Sequence, residues 1–243
     1  MVNVTRIFEQ AVVVIPAHNE AARLPGCLAA VRAAAARLPV PVRAVVVLDA
    51  CDDGSAEIIG RCSCAVHVVT IDARNVGAAR AAGFAAAQSL WGDTDPARIW
   101  YATTDADSRV DPDWLVRQMT AAADMVLGVV RIADWRRLPA PAGRHYLRAY
   151  LSKTRPDGAG HSHVHGANMG FSAAAYWRVG GFAPLPSGED VDLAARFQRC
   201  GYHICRDAEL SVSTSARRNG RAPNGFAAHL RSVLHRRSAE DPA

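Results

Sequence analysis

A chain of 243 residues, half of them hydrophobic, is long enough to bury a sizeable core as one large domain or two intimate halves. Its net charge of +5 is modest and points to no nucleic-acid partner. No apolar run is long enough to cross a bilayer, since Arg32 and Arg37 break the Ala-rich stretch 27–40, and residues 1–10 lack the apolar core of a signal peptide, so a soluble cytoplasmic protein is the expectation.

In chain order, the apolar, β-branched run 11–15 predicts a strand covered on both faces. Asn19 is placed to cap a helix over about 25–38, with Pro25 in its first turn. A second buried strand is expected over 42–48, a short helix over 55–60, a third strand over 65–71, a long helix over 77–90 and a fourth strand over 98–103. Four alternations of strand and helix in about a hundred residues predict a parallel sheet with helices on both faces. Such sheets bind ligands beyond the carboxyl ends of their strands. Polar residues gather at those four places: His18-Asn19-Glu20, the stretch 49–55, the stretch 72–75, and Asp105 with Asp107.

The second half is less regular. Asp111-Pro112-Asp113 is expected to cap a helix to about Ala123, Met125–Ile132 reads as a strand, and the Pro/Gly-rich stretch 138–143 reads as a loop. His161, His163 and His165 alternate in a loop before Gly166-Ala167-Asn168-Met169-Gly170-Phe171. Gly180-Gly181-Phe182 forms a tight turn, and Gly188-Glu189-Asp190 leads into an amphipathic helix that stops at Gly201. With no repeat and no low-complexity linker, the halves are expected to form one compact domain over 1–236, with a flexible tail over 237–243.

Ile99-Trp100-Tyr101-Ala102-Thr103-Thr104-Asp105-Ala106-Asp107 is the most telling stretch. A β-prone run ends in two carboxylates spaced so that, in extended chain, both face one ligand. Mg²⁺ and Mn²⁺ take few carboxylates and complete their shells with water and phosphate oxygens, which suits such a pair. The six cysteines contain no Cys-x-x-Cys pair and read as reduced thiols; alternate histidines without a nearby cysteine make structural zinc the weaker reading. Between Glu209 and Glu240 there is no acidic residue, whereas Arg217, Arg218, Arg221, Arg231, Arg236 and Arg237 fall there. That block suits phosphates, an acidic acceptor or a peripheral contact with a membrane's inner face; otherwise it is the solvated face of a helix.

Together these segments resemble a family 2 glycosyltransferase of the GT-A fold, from about residue 12 to residue 204. The resemblance is carried by Val13-Val14-Ile15-Pro16-Ala17-His18-Asn19-Glu20, by Asp52-Asp53-Gly54-Ser55, and by Asn75-Val76-Gly77-Ala78-Ala79-Arg80-Ala81-Ala82-Gly83. It continues in Asp105/Asp107, Gly180-Gly181-Phe182 and Gly188-Glu189-Asp190 with Asp192-Leu193. The third segment is one residue shorter than the family pattern between Gly77 and Arg80. Extra residues in Asp49-Ala50-Cys51-Asp52-Asp53 leave open which aspartate faces the donor base.

The resemblance implies an α/β fold with a mostly parallel, Rossmann-like sheet and an inverting hexosyl transfer from a UDP- or GDP-linked sugar to a hydroxyl. The acceptor would be a small molecule, a glycan or a lipid-linked compound, and the resemblance implies a nucleotide-sugar-binding half over about 1–107 and an acceptor-binding and catalytic half over 108–236. It implies donor contacts from Pro16, Ala17, Asn19, Glu20, Asp49, Asp53, Arg80, Asp105, Ala106 and Asp107, with Arg80 at the ribose-diphosphate. Asp107 holds Mg²⁺ or Mn²⁺, and Asp105 touches ribose, the metal or its water. His165, Gly166, Asn168, Gly181 and Phe182 line the acceptor side. Asp190 is the general base, its pKa raised by apolar burial, and Glu189 orients acceptor or helix. Ser213-Thr214-Ser215-Ala216-Arg217-Arg218 is expected as a lid after the last strand. A sugar-phosphate nucleotidyltransferase would need a Gly-rich basic loop where Pro16 to Glu20 stand, and a non-catalytic binding protein would be expected to lose Asp105, Asp107 or Asp190.

Overall fold

A computed structural model describes residues 8–61, 66–132 and 160–214. β1 (Gln10–Ala17) lies between β2 (Val42–Asp49) and β4 (Ile99–Thr103), with β3 (Val66–Ile71) outside β2, and all three pairings are parallel. The apolar runs explain this arrangement. Ala11 to Ile15 are fully buried and β4 is buried at every position, as strands covered on both faces must be. Beyond β4 the sheet becomes mixed. β7 (Met169–Ser172) pairs antiparallel with β4 and with β6 (Met125–Ile132). β8 (Ile204–Thr214) runs parallel to β6, and β5 (Ser108–Val110) pairs antiparallel with β8, giving the order β3-β2-β1-β4-β7-β6-β8-β5.

Two apolar layers cover the faces. One combines α1 (Leu24–Ala35) and α4 (Trp114–Thr120) with Val13, Ile15, Trp100 and Val126. The other combines α3 (Val76–Leu90), α5 (Ala173–Arg178) and α6 (Glu189–Arg199) with Val12, Val14, Tyr101 and Met169. At its centre the rings of Phe84, Phe171, Tyr176 and Phe182 pack within 4.9–6.1 Å of one another. α2 (Ser55–Arg61) is short.

Several local expectations need correction. Asn19 does not cap α1: its backbone is left-handed (φ 55°) and its amide bonds Asp52, while the residue before the helix, Arg23, makes no side-chain cap. α4 ends at Thr120, short of Ala123, and Asp113 gives it no side-chain cap. β5 and β7, three and four residues long, are not signalled by periodicity; their partners on β8, β4 and β6 make them strands. Ser213 and Thr214 belong to β8, opposite Arg109 and Ser108, so they are strand and not lid; residues 215–218 lie outside the described residues. So do the loop 138–143, Cys62, Cys64 and the basic block from Arg217 to Arg237. Cys27, Cys51, Cys200 and Cys205 are free thiols, and among the described residues no helix is long and apolar enough to cross a membrane.

Candidate functional site

The turns that follow β1, β2, β3 and β4 form one bonded rim at the carboxyl ends of the parallel strands. Pro16 and Ala17 close β1 opposite Val47 and Leu48, and Ala17 is buried. Asn19 exchanges two hydrogen bonds with Asp52, at 2.7 and 2.8 Å. The Ala21 N–H donates to Asp53 and the Glu20 N–H to Ser55 Oγ, at 2.8 and 3.2 Å. The His18 ring donates from Nδ1 to the Asp49 carbonyl at 2.6 Å. Glu20 itself is buried, with Arg23 3.4 Å from its carboxylate.

The aspartates after β2 divide their work. Asp49 is buried and accepts three backbone N–H groups, from Ala73, Arg74 and Asn75, at 2.7–2.8 Å. Both oxygens of its carboxylate are thus engaged in shaping the turn into α3, at the position where a donor contact is expected. Asp53 is committed in a similar way, accepting from Ser55 N and Oγ and from Ala21 N at the start of α2. The slight burial that opposes its charge is outweighed by these bonds, which hold its carboxyl below the usual range. Asp52 is exposed, and one of its oxygens accepts from Asn19.

Asp105 and Asp107 do not share a strand face. The Ser108 N–H donates to the Asp105 carbonyl at 3.0 Å, closing a tight turn between β4 and β5 that parts the two side chains. Asp105 turns to Arg80 Nη2 at 2.7 Å. Asp107 turns to the β5–β8 side, where Ser108 and Thr214 hydroxyls donate to it at 3.4 and 3.3 Å. Ala106 between them is buried in the core.

Arg80 is also engaged within the protein. Its side chain is 3% exposed, and its guanidinium is bonded to Asp105, to Glu189 and, through Nε, to Thr103 Oγ1 at 3.3 Å. It is enclosed by protein and turned to these three acceptors. Burial opposes its charge, but Asp105, Glu189 and Asp190 outweigh that cost and hold its pKa above the ordinary value. Desolvation in turn pushes Asp105 up to about 6, with Arg80 pulling the other way and Asp107, Glu189 and Asp190 adding to the rise. Because the Asp105 side chain is 41% exposed, solvent tempers that push. Burial, helped by Asp190 and resisted by Arg80, likewise raises Glu189.

Asp190 follows at the start of α6, where Gly188 adopts the left-handed conformation (φ 76°) that swings the chain into the helix. It is only half-buried, and it accepts the Gly166 N–H at 2.8 Å and the Val191 N–H at 2.8 Å. His165 next to Gly166 is half-buried and stacks on His163, which in turn lies 5.5 Å from His161. His161 donates from Nε2 to the Leu127 carbonyl at 3.1 Å, and burial lowers its pKa.

Two expected acceptor residues are interior. Asn168 is fully buried, donating to the Val129 and Leu210 carbonyls at 2.9 Å each and accepting from Trp114 Nε1 at 2.8 Å. It ties β7 to β6 and β8 and does not face an acceptor. Phe182 is buried in the aromatic cluster, its ring 5.7 Å from the Arg80 guanidinium carbon and its N–H bonded to Tyr176 OH. Gly180 and Gly181, at φ 88° and 65°, make the expected turn before it.

Among the described residues no three His, Cys, Asp or Glu side chains are grouped to enclose a metal. A half-buried Asp107 with long hydroxyl contacts fits a hard cation that takes most of its oxygens from water and substrate, not one caged by protein.

Comparison with solved structures finds the same architecture. A mannosyltransferase, PcManGT from Pyrobaculum calidifontis, solved with GDP-Man and Mn²⁺, superposes with a TM-score of 0.62 at 17% identity, over 96% of this chain and 76% of its own. S. aureus TarS 1–349, solved with UDP-GlcNAc, gives a TM-score of 0.61 at 13% identity, over 95% of this chain and 66% of its own. The chain thus spans about two thirds of that TarS fragment. No curated protein sequence matches. The model of the Glycosyl transferase family 2 matches residues 12–180, more than half of the sequence, and takes in the rim, Arg80 and the Asp105–Asp107 turn; the chain belongs to that family.

Proposed function

We propose that this protein transfers a sugar from a nucleoside-diphosphate donor to an acceptor hydroxyl, with inversion at the anomeric carbon and Asp190 as general base. The observation that carries this reading is the buried bridge Asp105–Arg80–Glu189. It holds the turn after β4 against the first residue of α6, so that a donor at the strand ends and an acceptor beside Asp190 would meet over one crevice. The GDP-Man and UDP-GlcNAc bound by the structural neighbours support a nucleotide-sugar donor.

The chemistry asks for two things that these residues can supply. The exposed rim of Asn19 and Asp52 offers hydrogen-bond partners to a base or ribose. The acceptor oxygen attacks the anomeric carbon as its proton passes to Asp190, and the bond from that carbon to the diphosphate oxygen breaks on the opposite side. The two N–H groups on Asp190 orient its carboxylate while leaving lone pairs for that proton. Glu189, bonded to Arg80, positions the helix start and is not the proton acceptor. Asp107 would hold Mg²⁺ or Mn²⁺, which when bound neutralises charge on the departing diphosphate.

The test is a panel of UDP- and GDP-sugars with Mn²⁺, reading thermal shift, nucleoside-diphosphate release and the anomeric proton of the product. One donor should stabilise the protein and release its diphosphate, and the product should carry the opposite anomeric configuration. Asp107→Asn should weaken metal-supported donor binding at least about tenfold, ~1.4 kcal/mol. Donor binding that is equally tight in EDTA and in Asp107→Asn would contradict the metal assignment; a retained configuration would contradict direct displacement.

A further inference from the structure

Arg80 stands where a diphosphate contact is expected, yet each of its three nitrogens already has an acceptor inside the protein: Thr103 on Nε, Asp105 on Nη2 and Glu189 on Nη1. Gly166 closes over the guanidinium so tightly that a methyl group there would stand 2.5 Å from Nη2. The Phe182 ring lies on it as well. The same Gly166 donates its N–H to Asp190. Arg80 and Gly166 therefore rest on each other, and each holds one of two neighbouring acids, Glu189 and Asp190.

We infer that Arg80 is a positioning residue: it joins the donor-side turn to the acid segment and thereby sets where Asp190 stands relative to the donor's anomeric carbon. The inference rests on the reading in which Asp190 accepts the acceptor's proton. A guanidinium suits the task because its planar fork can hold two carboxylates at a fixed angle, whereas an ammonium is a point charge on a flexible stem. Such a role predicts that disturbance at residue 80 changes the rate of transfer and not the hold on the nucleotide.

Arg80→Lys and the double variant Arg80→Met/Glu189→Gln separate the alternatives, measured for kcat, donor KM, the Kd of UDP or GDP, and Tm. Arg80→Lys should lower kcat by about 10²-fold, the scale expected of a misplaced catalytic group. The nucleoside-diphosphate Kd should stay within about twofold of wild type, a kcat loss without a binding loss. The double variant removes both buried charges together, leaves Asp105, 41% exposed, to be paired by solvent, and should keep a near-native Tm while kcat stays low. It carries the test if Arg80→Lys proves unfolded. Recovery of kcat along with Tm in the double variant would mean a merely structural ion pair. A diphosphate Kd that weakens in step with kcat would make Arg80 a ligand, and an unchanged kcat in Arg80→Lys would remove it from the mechanism; each overturns the inference. A wild-type protein that transfers from no donor would instead overturn the underlying reading, and the inference with it.

Discussion

Asp49 shows how a carboxylate can shape a candidate site through the backbone. It is buried, and it gathers the N–H groups of Ala73, Arg74 and Asn75 into the turn that starts α3. Asn75 then caps the helix by accepting the Ala78 N–H, and from the second turn of that helix Arg80 reaches Asp105. Asp49→Ala would take a buried carboxylate away from three N–H donors of a largely exposed turn, and because water can replace part of what is lost it should cost about 1–3 kcal/mol. Urea unfolding measures it; a loss under about 1 kcal/mol would show that the turn holds itself. The sequence made Asp49, Asp52 and Asp53 equal candidates for the base, because three carboxylates in a loop look alike until their backbone partners are known. Arg80 was legible as important from its place in the family segment, but its direction was not. Burial by Gly166 and Phe182 comes from residues far along the chain.

At the scale of elements, the loop between α5 and α6 docks on the N-terminus of α3. The Gly77 N–H donates to the Leu185 carbonyl at 3.2 Å and Asn75 Nδ2 to the Pro184 carbonyl at 2.9 Å. A methyl group at position 77 would stand 2.2 Å from the Ala183 carbonyl and 2.8 Å from Leu185, both backbone atoms that cannot swing aside. Gly77→Ala should therefore cost about 1–3 kcal/mol and displace the segment that leads into Glu189. Thermal melting and transfer rate should fall together; an unchanged rate would show that the 183–188 loop does not position α6. The parallel half was readable because its buried strands are continuous β-branched runs and its helices carry a repeating apolar face. β5 and β7 were not, since three or four residues carry no measurable period and become strands only against their neighbours. Asn168 shares that fate: nothing local distinguishes an interior clamp on Trp114, Val129 and Leu210 from an acceptor contact.

For the whole molecule, the antiparallel β7 inserted between β4 and β6 lets the second half of the chain face the first. A parallel sheet alone would place only donor-side turns at its carboxyl edge. Insertion of β7 brings Gly166, just before it, and α6, two elements after it, onto the Arg80 side of the crevice. The order of motifs along the chain conveyed that both halves belong to one unit; the buried bridge that joins them did not show in it, because an arginine on a helix reads as surface until its partners are found. We propose that this joint sets Asp190, as the base, against a bound donor. The most direct test is Asp190→Asn, compared with wild type for donor Kd and for transfer under saturating donor and acceptor. An amide is nearly the same size, can still accept the Gly166 N–H, and cannot take a proton at neutral pH. Donor affinity should be unchanged and kcat lowered by about 10²–10⁴-fold. Transfer within a factor of about two of wild type would contradict the proposal, and so would a kcat loss matched by an equal loss of donor binding.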